Sequence, residues 1–165
     1  MKANAFTLVE ILIVVIIIGI LAAIVIPQFS SAAMESQEAM MMENLRVMRT
    51  QISIYRAQHD GMAPGYKGAN LSEQNFIDQL TKFTDQNGNV DESKSDVFRY
   101  GPYLSVIPEN PLTKASAVQV IQNADDMPAE PTGGNEIGWI YKAAEIDFRA
   151  NSVGNDLSGE SYYEY

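Results

Sequence analysis

The chain has 165 residues, no cysteine and a formal net charge of −10. That length holds one compact domain plus an appendage and excludes two ordinary domains, while the missing cysteines exclude a disulfide framework, thiol catalysis and thiolate metal sites. The acidic balance, with no cluster of basic residues, speaks against nucleic acid as a partner, because phosphate binding needs Lys and Arg to displace counterions.

Met1 to Ala5 carry one positive charge, at Lys2, and from Phe6 to Ile26 the chain is almost wholly apolar. At 1.5 Å rise per residue a helix over that run is roughly 31 Å long, close to the ~30 Å hydrocarbon core of a bilayer. Its Ile and Val content favours strands in water, but inside lipid a helix satisfies its own backbone. Lys2 favours a cytoplasmic N-terminus and places the rest of the chain on the far side. Glu10 is the one acid in the run. By itself it reads either as a hydrated acid at headgroup level or as an acid that waits for a positive partner from another subunit.

Phe6-Thr7-Leu8-Val9-Glu10 followed by Ile11-Leu12-Ile13-Val14-Val15 resembles the N-terminus of type IV pilins and type II secretion pseudopilins. The resemblance implies cleavage by a prepilin peptidase between Ala5 and Phe6 and N-methylation of Phe6. It further implies that Glu10 pairs with the Phe6 amine of a neighbouring subunit during assembly. The family normally has Gly before the cut, where Ala5 stands here. The competing reading is a secretory signal peptide cut near Ser30-Ser31-Ala32-Ala33. The acid inside the apolar run and the helical periodicity that continues through the supposed cut count against it.

Gly19 and Pro27 are the weak points of the first helix, since Pro27 removes one donor and crowds the Ala23 carbonyl. The bland expectation is a kink, and the family resemblance implies that Gly19–Pro27 can unwind in a filament. Beyond Pro27, Met34, Met41, Leu45, Met48, Ile52 and Tyr55 mark one face of an amphipathic helix that runs to about Gln58. Early Glu35, Glu38 and Glu43 and late Arg46, Arg49 and Arg56 match the helix dipole. Asp60-Gly61 and Pro64-Gly65 end it. The Met-rich stripe reads as the face on which a sheet packs.

His59, the only histidine, sits at the helix end, where a cationic side chain suits the dipole, and it lacks the partners a triad or zinc site would need. A short second helix is predicted over Leu71–Leu80, with Ser72 as N-cap and Phe76, Ile77 and Leu80 buried. Asp85, Asn87, Asn89 and Asp91 have the spacing of a calcium loop. Val90, however, stands where that loop needs glycine, and Asn87-Gly88 is a hairpin signal, so a turn is favoured. Phe98 to Ile107 reads as an ordered loop or edge strand. Short strands are predicted over Ala117–Ile121, Ile137–Lys142 and Ile146–Arg149, with a Pro/Gly-rich loop from Asp125-Asp126 to Gly133-Gly134 between the first two.

Gly101-Pro102-Tyr103-Leu104, Ile107-Pro108-Glu109-Asn110-Pro111-Leu112 and Gly138-Trp139-Ile140-Tyr141 resemble the heads of G-type (major) pseudopilins of type II secretion, a family that often binds calcium. Asp125, Asp126, Asn155, Asp156 and Glu160 are candidate oxygen donors, but no spacing selects a set, and solvated acidic loops without a cofactor are the favoured reading. The tail Tyr162-Tyr163-Glu164-Tyr165 is expected to pack on a sheet edge or to touch the next subunit.

The expected fold is α+β: a leader over 1–5, a transmembrane and filament-core helix over 6–27, its amphipathic continuation over 28–59, and a globular head over 60–165 with a short helix and an antiparallel sheet. The expected role is structural and not enzymatic. The subunit is stored as a single-pass protein in the cytoplasmic (inner) membrane, with its head in the periplasm or outside, and assembles into a helical homo-oligomeric filament. Implied partners are prepilin peptidase, an inner-membrane assembly platform and other pseudopilins. A surface type IV pilus is the alternative within this class, although the paired cysteines common among surface pilins are absent. A membrane-anchored binding protein that never polymerises is the rival outside it, and a tethered enzyme is the weakest reading.

Overall fold

A computed structural model describes residues 7–132, 136–156 and 158–165. The predicted leader with Ala5, and Phe6, lie outside the described residues, as do Gly133 and Gly134 of the predicted loop. The chain divides into two compact units, the first ending at Gln37 and the second running from Glu38 to Tyr165.

Helix α1 spans Leu8–Gln58 and continues through Gly19 and Pro27. In the first unit its large apolar side chains, from Leu8 to Phe29, are exposed. By length and composition this is a helix able to cross a membrane. Met34, placed on the buried stripe by its spacing, is half exposed and belongs to this unit.

In the second unit the stripe behaves as its spacing predicts. Met41, Leu45, Met48, Ile52 and Tyr55 are at most 2% exposed and join one core with Phe76, Leu80, Trp139, Tyr141 and Phe148. The helix stops where Asp60 and Gly61 turn left-handed, at φ 54° and 84°. The Gly61 N–H then reaches back to the Arg56 carbonyl at 2.9 Å, which satisfies a terminal acceptor.

A small hairpin follows, β1 (Tyr66–Lys67) paired with β2 (Asn70–Leu71). Helix α2, Glu73–Thr81, starts on Ser72, whose hydroxyl accepts the Asn75 N–H. Phe76 and Leu80 are buried, and Ile77 packs at the edge of the core. Antiparallel β3 (Phe83–Thr84) and β4 (Val90–Asp91) flank the Asn87-Gly88 turn, with Gly88 at φ 76°. Asp85 accepts the backbone N–H groups of Asn87 and Asn89, so its carboxylate serves as a turn acceptor. Phe98 to Ile107 is a loop pinned to α2, with the Tyr103 and Leu104 N–H groups both donating to the Leu80 carbonyl.

The main sheet has the order β5 (Val118–Ile121), β6 (Trp139–Lys142), β7 (Asp147–Ala150). It is mixed and not wholly antiparallel as expected: β6 and β7 are antiparallel, while β5 and β6 run parallel. The connections explain this. A short turn joins β6 to β7, whereas the long Pro-rich segment after β5 carries the chain back to the sheet's starting end before β6 begins.

Candidate functional site

Two places carry chemistry beyond packing: the start of α1 in the first unit, and the polar groups that close the second.

At the start of α1, Thr7 and Glu10 form a reciprocal cap. The Thr7 hydroxyl accepts the Glu10 N–H at 3.2 Å. Glu10 Oε2 in turn accepts the Thr7 N–H at 2.8 Å and the Thr7 hydroxyl proton at 2.7 Å. A free amide at a helix start is costly next to apolar surroundings, and this arrangement satisfies it. The sequence signal for this pairing is the Ser/Thr-x-x-Glu pattern of a capping box, Thr7 to Glu10. Ala5 and Phe6, the predicted processing pair, lie outside the described residues. Gly19 and Pro27 both lie within α1.

In the second unit His59 is 1% exposed, deeper than a last-turn cation would sit. Its ring stacks on Tyr55 at 3.8 Å between centroids and lies against Tyr100 and Tyr103. Nδ1 lies 2.7 Å from the Tyr55 carbonyl and Nε2 3.0 Å from the Thr84 hydroxyl. Both nitrogens are engaged, so the ring serves as a packed tie between α1 and β3.

Two buried amides organise the loops. The Gln79 oxygen accepts the Gly65 N–H, and its nitrogen donates to the carbonyls of Tyr66 and Gly88. Asn110 donates to the Gly138 carbonyl and the Ser152 hydroxyl, and its oxygen accepts the Leu112 N–H. Asn110 thereby ties Pro108–Leu112 to the Gly138–Tyr141 segment, the two phrases singled out in the sequence. Trp139 adds an indole bond to the Pro108 carbonyl at 2.8 Å.

Two of the candidate calcium donors face other partners. Asp126 lies 3.9 Å from the Lys142 ammonium. Asp156 spends its oxygens on the backbone N–H groups of Ser158 and Glu160, the Ser158 hydroxyl and the Tyr165 hydroxyl. Those bonds, the Tyr165 hydroxyl first, hold its carboxyl down at about 2. Among the described residues no three His, Asp or Glu side chains converge as a ligand set. The tail packs on β7, with the Tyr163 hydroxyl donating to the Pro128 carbonyl and that of Tyr165 to Glu38 as well as Asp156.

Comparison with known proteins gives two findings. Residues 1–26 match the model of the prokaryotic N-terminal methylation motif. The chain is also similar to the type IV major fimbrial protein FimA of Dichelobacter nodosus, 42% identical over 78 residues, which is 44% of this chain and 49% of that protein. The match thus spans about half the length of that curated relative. No solved structure matches.

Proposed function

We propose that this chain, which is type IV pilin-like, is the structural subunit of a helical filament assembled from a membrane-stored precursor. The observation that carries the reading is an apolar helix whose large side chains are exposed from Leu8 to Phe29 and which opens on a single acid. Such a surface needs lipid before assembly and other helices after it. In this reading a prepilin peptidase cuts between Ala5 and Phe6 and the new Phe6 amine is methylated. The subunit waits in the cytoplasmic membrane until an assembly platform extracts it. Glu10 then sets the axial register by pairing with the Phe6 amine of a neighbour, and the Gly19–Pro27 stretch unwinds where the bundle requires it. The methylation-motif match over residues 1–26 supports the processing step.

The type II secretion pseudopilus is the preferred setting. It is supported by the loop phrases held together through Asn110 and Trp139 and by the absence of cysteine. A surface pilus is the second reading, favoured by the fimbrial relative.

The test is the intact mass and N-terminal sequence of protein from native membranes, together with filament yield from Glu10→Ala. A chain that starts at methylated Phe6 and a variant that makes no filaments are the expected results. Unprocessed Met1 with wild-type behaviour of Glu10→Ala would favour an anchored protein that never polymerises. Loss of protein secretion without loss of surface filaments on deletion separates the pseudopilus from the pilus.

A further inference from the structure

Trp139 and Tyr141 of β6 enter the main core, so Ile140 and Lys142 lie on the outer face of the sheet. There Ile140 joins Ile121 of β5 and Tyr163 of the tail in a second, smaller apolar cluster. Ile140 and Tyr163 are at most 1% exposed. Arg149 stands directly across from Ile140 on β7, with its guanidinium 5.2 Å from the centre of the Tyr163 ring. The Lys142 side chain is buried as well, and its ammonium lies 2.5 Å from Glu145. The connection between β5 and β6 covers this face, with Met127 packed against the cluster.

That cover is held loosely for what it buries. Its two ends are fixed. The Asp125 N–H donates to the Gln122 carbonyl at 3.0 Å, and Thr132 is bound to Asn151 at 2.9 Å and to Gln119 at 3.1 Å. Between those ends three ties hold residues 126–131 among the described residues. Met127 packs on the cluster, the Tyr163 hydroxyl donates to the Pro128 carbonyl at 2.7 Å, and Asp126, its side chain fully exposed, lies 3.9 Å from Lys142. Ala129 and Glu130 are exposed. Pro128 and Pro131 restrict the backbone, which favours movement as one piece.

Lifting this piece strands little. An ion pair with an exposed member contributes little, and Lys142 keeps Glu145. The Tyr163 hydroxyl and the Pro128 carbonyl exchange each other for water. The β5–β6 and β6–β7 ladders stay intact, and the main core lies on the opposite face. The loss is chiefly the packing of Met127. A segment with so few buried contacts opens at a lower free energy than the whole unit unfolds.

We propose that residues 126–131 form a lid that opens while the rest of the second unit stays folded, and that it uncovers Ile121 and Ile140 beside the cations of Lys142 and Arg149. The lid belongs to the second unit alone and does not depend on the filament reading. The native chain has no thiol, so one introduced cysteine reports the opening. Full-length Ile140→Cys and Ile121→Cys, in detergent, are labelled with a maleimide across a series of urea concentrations. Ala150→Cys, buried in the main core, serves as the reference, and global unfolding of each variant is followed by Trp139 fluorescence. Both outer-face thiols are expected to label about tenfold or more faster than global unfolding allows, at a rate flat in low urea, because opening exposes little surface. Ala150→Cys is expected to label only through global unfolding. Outer-face thiols that also label only through global unfolding overturn the lid. So does labelling of Ala150→Cys as fast as theirs in low urea, since the whole unit is then opening. Fast labelling at one outer-face position alone reports the void left by that substitution, and overturns the lid too.

Discussion

Replacement of Asn110 tests whether a buried amide, and not the prolines around it, holds the Pro108–Leu112 loop in shape. The side chain is fully buried and makes three bonds, to Gly138 O at 2.8 Å, Ser152 Oγ at 2.9 Å and from Leu112 N–H at 2.9 Å. In Asn110→Ala the Leu112 N–H loses its partner, which costs about 1–3 kcal/mol. The Gly138 carbonyl keeps the Asn151 N–H and the Ser152 hydroxyl can rotate, so the two lost donor bonds add about 0.5–1 kcal/mol each. The total, about 2–5 kcal/mol, is a large share of the 5–15 kcal/mol typical of a domain. Asn110→Asp keeps the shape but turns the donor side into a second acceptor that faces the Gly138 carbonyl. Burial and that carbonyl raise the folded pKa of the new acid above its unfolded value of ~3.9. Its stability deficit is therefore smallest below the unfolded pKa and grows as pH rises through the folded one. Trp139, the only tryptophan, donates to Pro108 in this loop. Denaturant unfolding of the full chain in detergent, followed by its fluorescence at pH 4 and pH 7 relative to the native chain, reads both effects. A cost below about 0.5 kcal/mol for Asn110→Ala, the range of ordinary surface changes, would refute the reasoning, as would an Asn110→Asp deficit equal at the two pH values.

Gly138→Ala places a methyl group against the Ala115 carbonyl, backbone that cannot rotate away; a loss of about 1–3 kcal/mol is expected from the same unfolding measurement. Gln79→Met keeps the volume but strands the buried Gly65 N–H, whose bond to Gln79 is 2.7 Å, and should cost about 2–4 kcal/mol, with hydrogen exchange of the Gly65 amide accelerated. Asp156 titrates at about 2 in the folded chain, below the ordinary ~3.9. Its contribution is complete above the unfolded value and is lost as pH falls from about 4 to 2. Amide exchange over Ser158–Tyr165 should rise in that window, and Asp156→Asn should abolish the transition. Thr7→Val removes the hydroxyl that caps α1 and bonds Glu10; a change in filament yield smaller than that from Glu10→Ala is expected, because the carboxylate itself remains.

How far the sequence could be read follows from the range of each interaction. The stripe from Met41 to Tyr55 was legible because its partners repeat at helical spacing, and helix period alone decides which face is apolar. Ser72 and Asn87-Gly88 were legible because caps and hairpin turns close within four residues. Met34 fits the stripe by spacing yet is half exposed, since periodicity records a face and not what covers it. The depth of His59 was hidden for the same reason: Tyr100 and Tyr103, which cover its ring, lie more than forty positions away in sequence.

By itself the sequence determined the apolar helix with its lone acid, the amphipathic continuation and the ends of both helices, because each depends on neighbours within a few turns. Only the tertiary structure decided that β5 lies parallel to β6, that Asn110 bridges two distant loop phrases, and that residues 126–131 cover the outer face of the sheet. Those outcomes depend on how long connections return through space, and local propensity carries no record of that path.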